Sequence, residues 1–178
     1  MKKEDLNQKG VSRRSVLKGA ATVGAMASLG GIALNLAKPG TAEAMVRKDP
    51  VADFLKARGC PAHVIRGGLV GLIESWEVTL GSVERGYTLG LDDYLNDMDG
   101  RQLIEEALGV APEKDRKALA DRLRRADARM KKFLAPARQC LWGDEVAEAE
   151  GWSARKNWWY FMKPRKAGPD LLAEIEDL

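Results

Sequence analysis

Histidine and cysteine are scarce in this sequence: His63 is the only histidine among 178 residues, and the two cysteines are Cys60 and Cys140. A Ser-His-Asp hydrolase or a histidine-rich metal site would have to be built around His63 alone. There is no Cys-x-x-Cys-His, which excludes covalent haem attachment, and two cysteines are too few for a disulfide scaffold. Strand-type alternation and internal repeats are missing, and one uncharged stretch, residues 19–37, is too little for a multi-spanning membrane protein. What remains is a globular composition, 45% hydrophobic and 31% charged, long enough for one domain with a real core.

The first 44 residues have the order of an export signal. A polar, basic start (Lys2, Lys3, Lys9) leads to Ser12-Arg13-Arg14-Ser15-Val16-Leu17-Lys18, then to residues 19–37, then to Lys38-Pro39-Gly40 and the small-x-small site Ala42-Glu43-Ala44. This segment resembles the twin-arginine translocation (Tat) signal, usually S-R-R-x-F-L-K, with Val16 where Phe is commonest. The resemblance implies that Ser12, Arg13, Arg14, Val16, Leu17 and Lys18 are read by the Tat translocase. It implies cleavage at Ala42 and Ala44, folding in the cytoplasm before export, and a periplasmic destination. The central stretch is long enough to cross a bilayer at about 1.5 Å per residue. Its alanine and glycine make it a weak anchor, so cleavage is expected, with retention the alternative. The expected organisation is a signal peptide over 1–44 and a single helical domain over 45–178.

The net charge of +3 follows this division. Residues 1–44 hold seven bases and three acids, leaving 22 bases and 23 acids beyond them. The basicity belongs to the export segment, so nucleic-acid binding loses its main support. Charge is still separated locally. Residues 92–106 carry Asp92, Asp93, Asp97, Asp99, Glu105 and Glu106 against Arg101, whereas residues 114–132 carry nine bases against three acids. That pattern reads as solvated helix faces, or as a basic face for an acidic partner or anionic lipid.

The fold class expected is all-α, a small helical bundle with two long helices. Residues 51–58 form a short helix stopped at Gly59. Pro61 opens a helix of about 26 residues, whose stripe runs Val64, Ile65, Leu69, Leu72, Ile73, Trp76, Leu80, Val83, Tyr87. Gly67, Gly68 and Gly71 would allow close approach of another backbone. Residues 89–98 read as a short helix or irregular segment. Asp99 would cap a second piece over 101–108, with Gln102 completing a capping box and Gly109 ending it. Pro112 opens the other long helix, striped by Leu119, Leu123, Ala126, Met130, Phe133, Ala137 and Leu141, with Pro136 bending or ending it near Leu134. An acidic link, an aromatic segment over 152–163 and a last amphipathic turn or two follow.

Four groups could carry chemistry. In an oxidising compartment Cys60 and Cys140 are expected to form a disulfide, provided the two long helices pack antiparallel. A full return pass by the middle segment would make those helices parallel and separate the cysteines. Cys60 and His63, one helical turn apart, could instead face one metal, without further ligands at zinc-site spacing. Asp97, Asp99, Gly100 and Glu106 align partly with a calcium loop, although a helix cap at Asp99 explains the same residues. Finally, Trp152, Trp158, Trp159, Tyr160 and Phe161, flanked by bases, are candidates for binding a partner. Self-packing is the bland alternative and membrane contact a third.

The reading that follows is an exported, non-catalytic accessory or assembly protein of a cell-envelope complex, docking a partner and carrying no cofactor. The alternative is a small periplasmic metal- or cofactor-binding protein using Cys60 and His63. In layout alone the chain resembles the small accessory subunits of some exported flavin-dependent sugar dehydrogenases, a likeness that transfers no residue.

Overall fold

The computed structural model describes residues 49–178; the twin-arginine motif (Ser12, Arg13, Arg14, Val16, Leu17, Lys18) and the cleavage residues Ala42 and Ala44 lie outside them. Asp49 starts α1 (Pro50–Ala57), its carboxylate accepting from the N–H groups of Val51 and Ala52 at 3.1 Å. After Gly59 and Pro61 comes α2 (Ala62–Arg85), which buries Leu69, Leu72, Ile73, Trp76, Leu80 and Val83 along the expected stripe. Its first turns are offset by a kink at Gly68 (φ 54°, ψ −151°), a backbone state open mainly to glycine. Among the described residues, no neighbouring element lies within 4 Å of a Cβ built at Gly67, Gly68 or Gly71. Gly68 therefore serves the kink, and none of the three admits a neighbouring backbone of the described domain.

The middle region departs from the sequence reading. It forms one continuous helix, α3 (Leu91–Val110), running through Asp99, Gly100 and Gly109. Asp99 caps nothing, because the start of α3 is satisfied from elsewhere: the Leu91 N–H donates to Glu174 of the last helix at 2.8 Å. The buried face is Tyr94, Leu95, Met98, Arg101, Ile104 and Ala107. The buried arginine at its centre interrupts the apolar stripe that would have revealed a single helix.

α4 (Glu113–Lys132) begins after Pro112 and buries Leu123, Ala126 and Met130. Pro136 ends the helical run as expected. The residues beyond enter a two-stranded antiparallel ribbon, in which β1 (Leu134–Pro136) pairs with β2 (Met162–Pro164). The acidic link is itself a short helix, α5 (Asp144–Glu150), and α6 (Pro169–Glu176) closes the chain. The domain is all-α with this one ribbon.

Register shows how the long helices run. Glu77 pairs with Arg122 and Glu84 with Arg129, seven residues further along both helices. Equal steps on both partners mean that α2 and α4 are parallel. α3 is the full return pass between them, reached from α2 by a short turn at Gly86, whose φ of 100° again suits glycine.

This topology corrects the expected disulfide. Cys60 lies at the start of α2 and Cys140 follows the end of α4, so a parallel pair keeps them apart, and both are free thiols. Burial pushes both thiols above the ordinary cysteine range. Thiol titration of the unfolded chain without reductant should find two reactive cysteines. In the native protein, half-buried Cys60 should react and buried Cys140 should be protected.

Candidate docking surface

The core is organised around a charge. Arg101 is 5% exposed, and its guanidinium donates to both Asp127 oxygens at 2.9–3.2 Å and to Glu105 at 3.0 Å. Trp76 donates its indole N–H to the same Asp127 at 2.9 Å, and the ring of Trp159 lies 4.5 Å from the Arg101 guanidinium carbon. One carboxylate on α4 thus ties down a cation from α3 and a tryptophan from α2.

The aromatic segment fits around this centre. Residues Trp158–Phe161 form a 3₁₀ turn, and at three residues per turn successive side chains point to different neighbours. Trp158 meets Trp76 and lies beneath Lys131, whose ammonium is 4.4 Å from its ring. Trp159 faces Arg101. Tyr160 packs on Trp152 and donates its hydroxyl to Asp99 at 2.6 Å. Trp158, Trp159 and Tyr160 are consequently buried within their own chain, and Trp152 and Phe161 are half-buried against the same core. Of the four aromatics in a row, Trp158, Trp159 and Tyr160 are buried and Phe161 keeps partial exposure.

Three acidic residues of α3, Asp97, Asp99 and Glu106, are also engaged. Asp97 accepts from the Tyr87 hydroxyl at 2.7 Å, Asp99 from Tyr160 and from the Trp142 indole N–H at 3.2 Å, and Glu106 from Gln102 while facing Arg58. A calcium loop cannot form from residues that lie within one helix and hold the core in this way. Burial raises the pKa of Asp97 and of Asp99 above the usual carboxylate range, against the opposing pull of these hydrogen bonds. His63 is exposed, and among the described residues no three His, Cys, Asp or Glu side chains converge as metal ligands would.

What remains open is the space between α3 and α4. Both helices pack on α2 and meet each other through the Arg101–Asp127 pair, with Trp159 against Arg101 and Trp158 beneath Lys131. To one side lies an open groove of about 520 Å³, lined by Leu108 of α3 and by Ala120, Leu123 and Ala128 of α4. Arg116, Arg124 and Lys131 of α4 line it as well; Asp127 there is already paired with Arg101. The basic helix is legible in the sequence, whereas the groove depends on how α3 and α4 come together at Leu108. Outside the groove, Arg122 and Arg129 are held by α2 glutamates, whereas Lys114, Arg125 and Lys132 have no ion-pair partner among the described residues.

Residues 10–30 match the family described as TAT (twin-arginine translocation) pathway signal sequence. No curated protein and no solved structure matches the chain. The protein therefore carries a Tat signal and is exported to the periplasm, and no helix of the described residues is long and apolar enough to cross a membrane.

Two substitutions test the polar core. Asp127→Ala should cost about 3–5 kcal/mol in urea unfolding, because it strands the buried Arg101 charge. Glu105→Gln, at the exposed end of the same network, should cost less than about 1 kcal/mol. Asp99→Asn keeps an acceptor for Tyr160 but removes the ionisation. A carboxyl whose pKa is raised by folding stabilises the native state below its unfolded pKa and loses that contribution as pH rises through the folded value. The variant should therefore match the wild type in acid and gain on it as the pH is raised toward neutrality, measured as paired unfolding midpoints.

Proposed function

We propose that this protein is a non-catalytic accessory or assembly component of a cell-envelope complex, delivered by the Tat route and docking a partner through its helical domain. The observation that carries the reading is the groove between α3 and α4, an apolar floor rimmed by cations on the surface of a folded, exported domain. The Tat route accepts proteins that have already folded, including those with a partner attached, so a docking surface completed by folding is usable before export. The buried titratable groups support the same reading. Each is tied to a packing partner: Asp97 to Tyr87, Asp99 to Tyr160, and Arg101 and Asp127 to one another.

The metal-binding alternative has less behind it. Burial raises the pKa of the Cys60 thiol, with Arg58 opposing, and His63 is on the surface. Extracted gently from the periplasm of its own host, the protein should migrate well above the size of the chain alone. A lone monomer would overturn the accessory reading, and a stoichiometric metal in that sample would restore the alternative.

A further inference from the structure

We infer that the groove between α3 and α4 receives an acidic amphipathic helix from a partner protein, an inference that rests on the accessory reading above and names the chemistry of the partner. Three features of the groove select that occupant. Its floor is apolar and lined by small side chains, Ala120 and Ala128, which leave room for the larger apolar residues of an incoming helix. Its rim is cationic: Arg116 has no ion-pair partner among the described residues, and Arg124 is matched only by Asp121, three residues away and exposed. The one acid in the groove, Asp127, is committed to Arg101 and Trp76, so the field there is positive. From Arg116 to Lys131 the groove follows α4 for about 22 Å at 1.5 Å per residue, the length of a four-turn helix.

Other occupants fit less well. For a lipid surface, none of the exposed large apolar side chains (Val70, Val78, Leu89, Val110, Leu178) is on α4 to insert beside its cations. The acidic segment on a second copy of this chain, α5, is seven residues long and anchored by buried Ala147, so it would cover less than half of the groove. The chain's own export segment is basic and would be repelled.

The binding mode follows from the geometry. Glutamates of the incoming helix meet Arg116, Arg124 and Lys131, which steer the encounter and set its orientation, while apolar residues on its other face cover Leu108 and Leu123.

The test uses the purified full chain and a fluorescein-labelled synthetic helix of about 14 residues, with leucines at i, i+3, i+4 and i+7 positions and glutamates elsewhere. A second peptide carries lysine in place of every glutamate. Anisotropy titrations should show the glutamate peptide binding at least about ten-fold tighter than its lysine twin, with affinity falling as salt rises. Because the export segment is itself basic, the deciding arm is Ala120→Trp, an exposed position at which a large ring fills the groove without entering the core. This variant should melt with the wild type and lose at least about ten-fold in affinity for the glutamate peptide. Arg116→Glu with Arg124→Glu should do the same. Equal binding of the two peptides, or undiminished binding by Ala120→Trp, would overturn the inference. So would self-association of the chain that Ala120→Trp abolishes, which assigns the groove to a second copy. Binding to phosphatidylglycerol vesicles that Ala120→Trp leaves intact, with no peptide binding, would overturn it in favour of a lipid surface. A protein that is part of a large native complex yet fails these titrations keeps its accessory role and loses only this groove as the docking site.

Discussion

Everything in the domain is arranged around one buried cation. Arg101 projects from the middle of α3 into the space where three helices and the aromatic turn meet. An isolated charge there would cost several kcal/mol, so Asp127 must be present and must be in register. That requirement fixes how far α4 can slide along α2, because Asp127 also holds Trp76. The surface pairs Glu77–Arg122 and Glu84–Arg129 repeat the same register outside, where solvent weakens them. Position is set by the inner pair, and the outer pairs agree with it.

The aromatic turn solves a packing problem that three helices alone leave unsolved. Two helices can each lie on a third without closing on each other, and the gap needs a filler presenting a different surface on every side. A 3₁₀ turn of Trp158, Trp159, Tyr160 and Phe161 does this, giving Trp76, Arg101 and Asp99 each its own partner.

The helical class, both long helices and the ends of α1 and α2 were legible in the sequence, since apolar spacing and the Gly and Pro stops are local signals. So was the export segment, where order and spacing identify the motif without a fold. α3 was not legible as one helix. Its core face carries Arg101, its cap comes from Glu174 far along the chain, and Gly100 and Asp99 imitate a boundary. The disulfide expectation depended on the direction of α4 relative to α2, which no local pattern encodes. The aromatic segment was legible as unusual, but its burial depends on elements distant in sequence. The cationic side of the groove was visible in residues 114–132, and its shape was not.

The place of the aromatic turn along the chain has a consequence for the order of events in the cell. Residues 50–132 leave the ribosome before residues 158–164, which fill the gap among their helices. At roughly 5–20 residues per second the delay amounts to seconds, during which Arg101 and Asp127 lack their aromatic cover. The signal at residues 10–30 has emerged long before. A transport route that accepts folded proteins suits a core whose last piece arrives so late, and the twin-arginine address is of that kind.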